Sequence, residues 1–194
     1  MKRPGGFISL NSPVILGMSF LCFAFLLINL FTQGTVTYLM GVYYTSWTDP
    51  VMYSRLFTHV LCHQDLPHFT GNFLLILAVG PLVEEKYGSG PVALMMLVTA
   101  LITGLINVIF FRNILLVGAS GIVFMLILLA SFTNIQEGKL PLTVLLVGLL
   151  YIGNEVVNGL ISQDDISQVT HIAGGLCGAG FGLLIHGGTI RKRI

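Results

Sequence analysis

The feature that most limits what this chain can become is a succession of apolar stretches almost free of charge, separated by short segments where the charges collect. Six such stretches run approximately over 13–31, 69–83, 91–111, 114–132, 140–157 and 169–185. About 20 mainly apolar helical residues cross the roughly 30 Å of hydrocarbon in a bilayer, and backbone polar groups there must be satisfied within the chain. The pattern predicts an all-α membrane protein, a bundle of six transmembrane helices forming one domain over 1–194, with a connection at 32–67 lying at the membrane interface. A hydrophobic share of 55% against 9% charged residues excludes an ordinary soluble domain of 194 residues.

An even number of spans puts both termini on one side. With the N terminus cytoplasmic, the inner segments hold Lys2, Arg3, Lys86, Lys139, Arg191, Lys192 and Arg193, and the outer ones only Arg55 and Arg112. This bias agrees with the positive-inside rule. The chain is therefore expected to be a multi-pass protein of a cell membrane, bacterial by expectation, with both termini cytoplasmic. Residues 1–31 have the basic start and apolar run of a signal peptide, but the run is long and no small-residue cleavage site precedes Gln33. An uncleaved first helix is expected. A net charge of +1 offers no footprint for nucleic acid. Cys22, Cys62 and Cys177 are odd in number and suggest no disulfide framework.

The connection at 32–67 is rich in Tyr38, Tyr43, Tyr44, Trp47 and Tyr53, residues that favour the interface because ring and polar tip are both satisfied there. It closes with His59 and His63, spaced as a helical metal pair. No HExxH motif or further ligand accompanies them, so a hydrogen-bonded structural role is the stronger reading than a metal site. Pro67 suits a first helical turn, which puts His68 and Asn72 four apart on one face near the start of the second span. Polar groups at that depth are costly unless bonded, and they stand either as glue between helices or as functional groups. Glu84 at the other end of this span reads as a cap or structural partner.

The fourth span carries Gly118-Ala119-Ser120-Gly121, with Phe124 one turn below the serine. A small-residue step in a membrane helix commonly serves close packing. The sixth span contains His171, followed by Gly174, Gly178 and Gly182 as a stripe. Such a stripe allows close approach of two backbones, either between molecules or, with a histidine heading it, within one. Even-numbered spans run from outside to inside, so His68, Asn72, Ser120 and His171 fall at similar depth near the outer face. The glycines Gly121, Gly174 and Gly178 then allow spans four and six to touch.

A serine hydroxyl becomes nucleophilic when a base takes its proton, and a histidine can do this and later protonate a leaving amine. Asn72 and His68 are donors suited to a developing oxyanion, and Phe124 can stack on the His171 ring. Asp164 and Asp165 precede His171 and could orient it, although a Ser120–His171 dyad is the simpler arrangement.

Taken together, Arg55, Phe57-Thr58-His59, His63, His68-Phe69-Thr70-Gly71-Asn72, Glu84 before Gly88, Gly118-Ala119-Ser120-Gly121 and His171-Ile172-Ala173-Gly174 with Gly178 resemble the rhomboid family of intramembrane serine proteases. The resemblance implies Ser120 as nucleophile, His171 as general base, and His68 with Asn72 at the oxyanion. It implies transmembrane segments of other proteins as substrates, cleaved near the outer face at small residues, and no metal or cofactor. Two positions depart from the family pattern: Ser54-Arg55 stands where Trp-Arg is common, and Phe124 where some members carry tyrosine. The alternative functions are a catalytically silent membrane protein that binds client helices and, more remotely, a small transporter with a histidine core.

Overall fold

The computed structural model describes residues 11–133 and 165–191, together with the isolated positions 142, 146, 149 and 150. Apart from those four positions, the expected fifth span at 140–157, with Asn154, Glu155 and Asn158, and the acid Asp164 lie outside the described residues. Helix α1 is Pro13–Phe31, and α2 (Thr35–Met40) and α3 (Pro50–Thr58) occupy the first connection, ending in a 3-10 turn at His59–Leu61. Then come α4 (Leu66–Tyr87), α5 (Ser89–Phe110), α6 (Ser120–Ser131) and α7 (Asp165–Arg191). Four of these helices are long and apolar enough to cross a membrane: α1, α4, α5 and the 168–185 part of α7. The protein is thus a multi-pass integral membrane protein.

Local sequence explains the helix boundaries. Helix α4 begins where the Asp65 carboxylate accepts from the backbone N–H of His68 at 2.8 Å, with Pro67 in the first turn. It ends at Gly88, whose φ of 86° is open to glycine at little cost. Asp49 caps α3 by accepting from Val51 N–H at 2.9 Å. The Thr45 hydroxyl, bonded to the other Asp49 oxygen, is the main cause holding that carboxyl below its ordinary pKa. Helix α1 is capped from a distance: the two carboxylate oxygens of Glu84 accept from Val14 and Ile15 N–H at 3.0 and 2.9 Å. These donors would otherwise be orphaned at a helix start.

Helix α6 is the centre of the bundle. Gly121, Ile122, Val123 and the run from Met125 to Leu129 are all buried, as expected of a helix apolar on every side. It packs chiefly against α7 and α4, while α1 lies on α4 and α3 on α5. The fourth span, expected over 114–132, becomes helical later than its apolar run begins. The apolar run from Ile114 does not enter the helix directly, because residues 114–119 form a non-helical segment and α6 starts at Ser120. Val42 and Leu116 pair as an antiparallel bridge through bonds of 3.0 and 2.9 Å, and Gly118 adopts φ 116°. With 12 residues α6 is about 18 Å long, short of the roughly 30 Å of hydrocarbon. Non-helical backbone beside it is tolerated because Val42, His59 and Asn107 pair its polar groups.

Candidate active site

The turn that presents Ser120 is built by three neighbours. The Gly118 N–H donates to the His59 carbonyl at 3.0 Å, which ties the turn to the 3-10 segment. The His59 ring is itself fixed, with Nδ1 at 3.1 Å from the Arg55 carbonyl and Nε2 at 3.3 Å from the Thr103 hydroxyl. Burial lowers the pKa of His59 to about 4, so this ring is neutral at neutral pH. From α5, the Asn107 amide donates to both the Val42 carbonyl (3.0 Å) and the Ile114 carbonyl (2.9 Å), holding the two extended segments together.

Gly118 lies against α4. A Cβ built there would lie 2.6 Å from His68 Nε2 and 3.7 Å from Asn72 Nδ2, and its positive φ also disfavours any side chain. The backbone before Ser120 therefore lies directly against the two polar side chains of α4. Asn72 is buried, and its Nδ2 has no hydrogen-bond partner among the described residues. A buried amide donor left unpaired is costly, so its presence marks a place where an acceptor is wanted. Ser120 opens α6, and the first-turn N–H groups of Ser120, Gly121 and Ile122 have no intrahelical acceptor, the ladder beginning with Val123 N–H to Ala119 O at 3.0 Å.

Helix α7 comes within backbone contact of α6. A Cβ on Gly174 would strike the Gly121 carbonyl oxygen, and one on Gly178 that of Met125. Two of the stripe glycines thus seat α7 directly on α6 within one molecule. Gly182 lies similarly against the Phe132 ring. This contact sets the height of His171, whose imidazole stacks on Phe124 with ring centroids 4.5 Å apart and planes at 12°. Ser120, His171, His68, Asn72 and Phe124 all line one open cavity of about 350 Å³, walled also by Leu116 and Val117.

His63 does not line this cavity. It is fully buried, edge-on to His68 with ring centroids 5.1 Å apart, and both its ring nitrogens lack hydrogen-bond partners among the described residues. Burial first, then the neighbouring His68, pushes its pKa down to about 3. Among the described residues no three His, Cys, Asp or Glu side chains group as metal ligands. Asn107 and Thr103 were passed over in the sequence, although each is a polar residue inside an apolar run, the signal that could have found them.

A family model described as the rhomboid domain matches residues 50–188. The chain belongs to the rhomboid family. Rhomboids are generally intramembrane serine proteases, and the family also includes inactive members. No curated protein matches this rhomboid.

Proposed function

We propose that this rhomboid is an intramembrane serine endopeptidase that cleaves transmembrane segments of other membrane proteins with a Ser120–His171 dyad. The observation that carries the reading is the shared cavity, in which hydroxyl, imidazole and an unpaired amide donor meet. His171 takes the Ser120 proton as the oxygen attacks the substrate carbonyl carbon. The resulting oxyanion is held by Asn72 Nδ2, His68 and first-turn N–H groups of α6. Removing one such donor typically costs about 2.7–4 kcal/mol of barrier. When the intermediate collapses, the imidazolium gives its proton to the leaving amine. Water, deprotonated by the same imidazole, then attacks the acyl ester and restores Ser120.

Phe124 stacking keeps the His171 ring in one plane through both proton transfers. Substrate helices must unwind to expose a peptide bond to Ser120, which favours small or helix-breaking residues at the cleavage point. With both termini cytoplasmic, that point lies near the outer face. The test is cleavage of a panel of single-span substrates by purified protein in liposomes, with Ser120→Ala and His171→Ala as comparisons. Cleavage lost in both variants supports the dyad. Cleavage by Ser120→Ala at the rate of the unmodified chain overturns it, and binding of substrates without cleavage by a folded wild type favours a client-holding role.

A further inference from the structure

A second cavity, of about 270 Å³, lies between the first connection and the α5–α6 connection and is lined by Tyr38, Tyr43, Tyr44, Arg112, Asn113 and Leu115. Its polar lining consists of a guanidinium, an amide and three phenols, with no carboxylate. The Arg112 guanidinium lies 4.6 Å from the centroid of the Tyr44 ring, and among the described residues nothing accepts a hydrogen bond or forms an ion pair from it. A second cation supports the opposite wall: Arg55 lies 4.3 Å from the Tyr43 centroid and is fixed by its Nε donating to the Leu39 carbonyl at 3.0 Å. A guanidinium stacked on an aromatic face keeps its in-plane N–H fork free, the geometry that recognises phosphate oxygens in pairs.

The position selects the source of the phosphate. Helix α5 has 22 residues, about 33 Å, which matches the roughly 30 Å of hydrocarbon, so Arg112, two residues past its end, stands at headgroup level. Exposed apolar side chains surround the site at the same level, with Tyr38 67%, Leu39 61% and Ile114 42% accessible. We propose that this cavity binds the phosphodiester of a phospholipid headgroup, with Arg112 as the principal ligand and Asn113 and the tyrosine hydroxyls as further donors. The glycerol and acyl portions lie over Leu39 and Ile114. The segment that lines this cavity through Leu115 lines the Ser120 cavity through Leu116 and Val117, so a bound lipid braces the turn that carries Ser120.

The test does not depend on proteolysis. Trp47, the only tryptophan, lies edge-on to Tyr44 at 5.4 Å and reports on the site by fluorescence. The full chain in a neutral maltoside detergent is titrated with dihexanoyl phosphatidylglycerol below its micelle concentration. A saturable change in Trp47 emission is expected, with the half-saturation point raised about tenfold in Arg112→Gln and less in Arg112→Lys. Tyr38→Phe, which removes only a hydroxyl, should raise it a few fold and serves if Arg112→Gln does not fold. Dihexanoylglycerol and inorganic phosphate, as separate probes, should not saturate over the same range. The proposal is overturned by the absence of both a saturable change and a lipid-bound species in native mass spectrometry. It is equally overturned by an unchanged half-saturation in a folded Arg112→Gln, or by inorganic phosphate binding as well as the lipid.

Discussion

The two sides of the Ser120 cavity are held by opposite means. On the α7 side, backbone meets backbone: Gly174 sits on the Gly121 carbonyl and Gly178 on that of Met125, and this contact sets the height of His171. On the loop side, isolated polar groups do the positioning: Asn107 grips Val42 and Ile114, His59 receives Gly118 N–H, and Asn29 accepts from Thr37 N–H at 2.9 Å. Lipid supplies no hydrophobic drive between helices, so close packing through small residues is the available way to fix a helix pair. A turn has no such continuous face and must be pinned by directional bonds. The helix that carries His171 therefore rests on shape, and the turn that carries Ser120 on directional bonds.

The sharpest way to break this contrast is to add bulk on the α7 side. Gly174→Leu or Gly178→Leu should separate α6 from α7, abolishing activity and costing on the order of 4 kcal/mol or more, an overpacking that the opposing backbone cannot relieve. Gly180→Leu, on the same helix but with open space around its Cβ position, should leave the melting temperature in detergent nearly unchanged. Equal melting temperatures for Gly178→Leu and Gly180→Leu would remove the shape-based half of the account.

Next comes Asn107→Leu, which leaves the Ile114 carbonyl without its donor and the Val42 carbonyl with the Leu116 N–H alone. A loss of about 1–3 kcal/mol per stranded group is expected, with activity falling more than stability because the Ser120 turn loosens while the helices remain packed. Parallel melting and substrate-cleavage measurements separate the two. A smaller effect is expected from Phe124→Leu, where the lost ring stacking of about 0.5–1.5 kcal/mol should lower kcat roughly three- to tenfold with KM little changed.

A separate effect is a pH dependence that arises on the loop side. His59 and His63 have folded pKa values lowered to about 4 and about 3 by burial, below the ordinary value near 6.5. The unfolded chain then binds more protons below pH 6.5, so the contribution of these neutral rings is full above that pH and is lost progressively as pH falls toward 4. Melting temperature should fall from pH 7 to pH 5, and the slope should flatten in His63→Phe. An unchanged slope would place the acid sensitivity elsewhere.

Much of this arrangement was legible in the residues. The first span was expected at 13–31 and α1 is Pro13–Phe31, because a proline start and a long apolar run define it unaided. His68, Asn72, Ser120 and His171 were expected at one depth, and they line one cavity. The start of α6 was not legible, since Ile114, Leu115, Leu116 and Val117 are as apolar as a spanning helix and hydropathy is blind to backbone conformation. What makes that segment extended is its bridge to Val42 and the grip of Asn107, contacts remote in sequence. Glu84 was expected as a cap or structural partner, and the same remoteness hid only which helix it caps, since it lies 70 residues beyond Val14.

In the proposed mechanism His171 activates Ser120. Its most direct test is labelling by a fluorophosphonate probe in liposomes, with the modified residue located by peptide mass spectrometry, in the wild type, Ser120→Ala and His171→Ala. Phosphonylation at Ser120 is expected in the wild type, and its loss in both variants. Labelling of Ser120 that persists undiminished in His171→Ala, or a folded wild type that accepts the probe at another residue and not at Ser120, would contradict it.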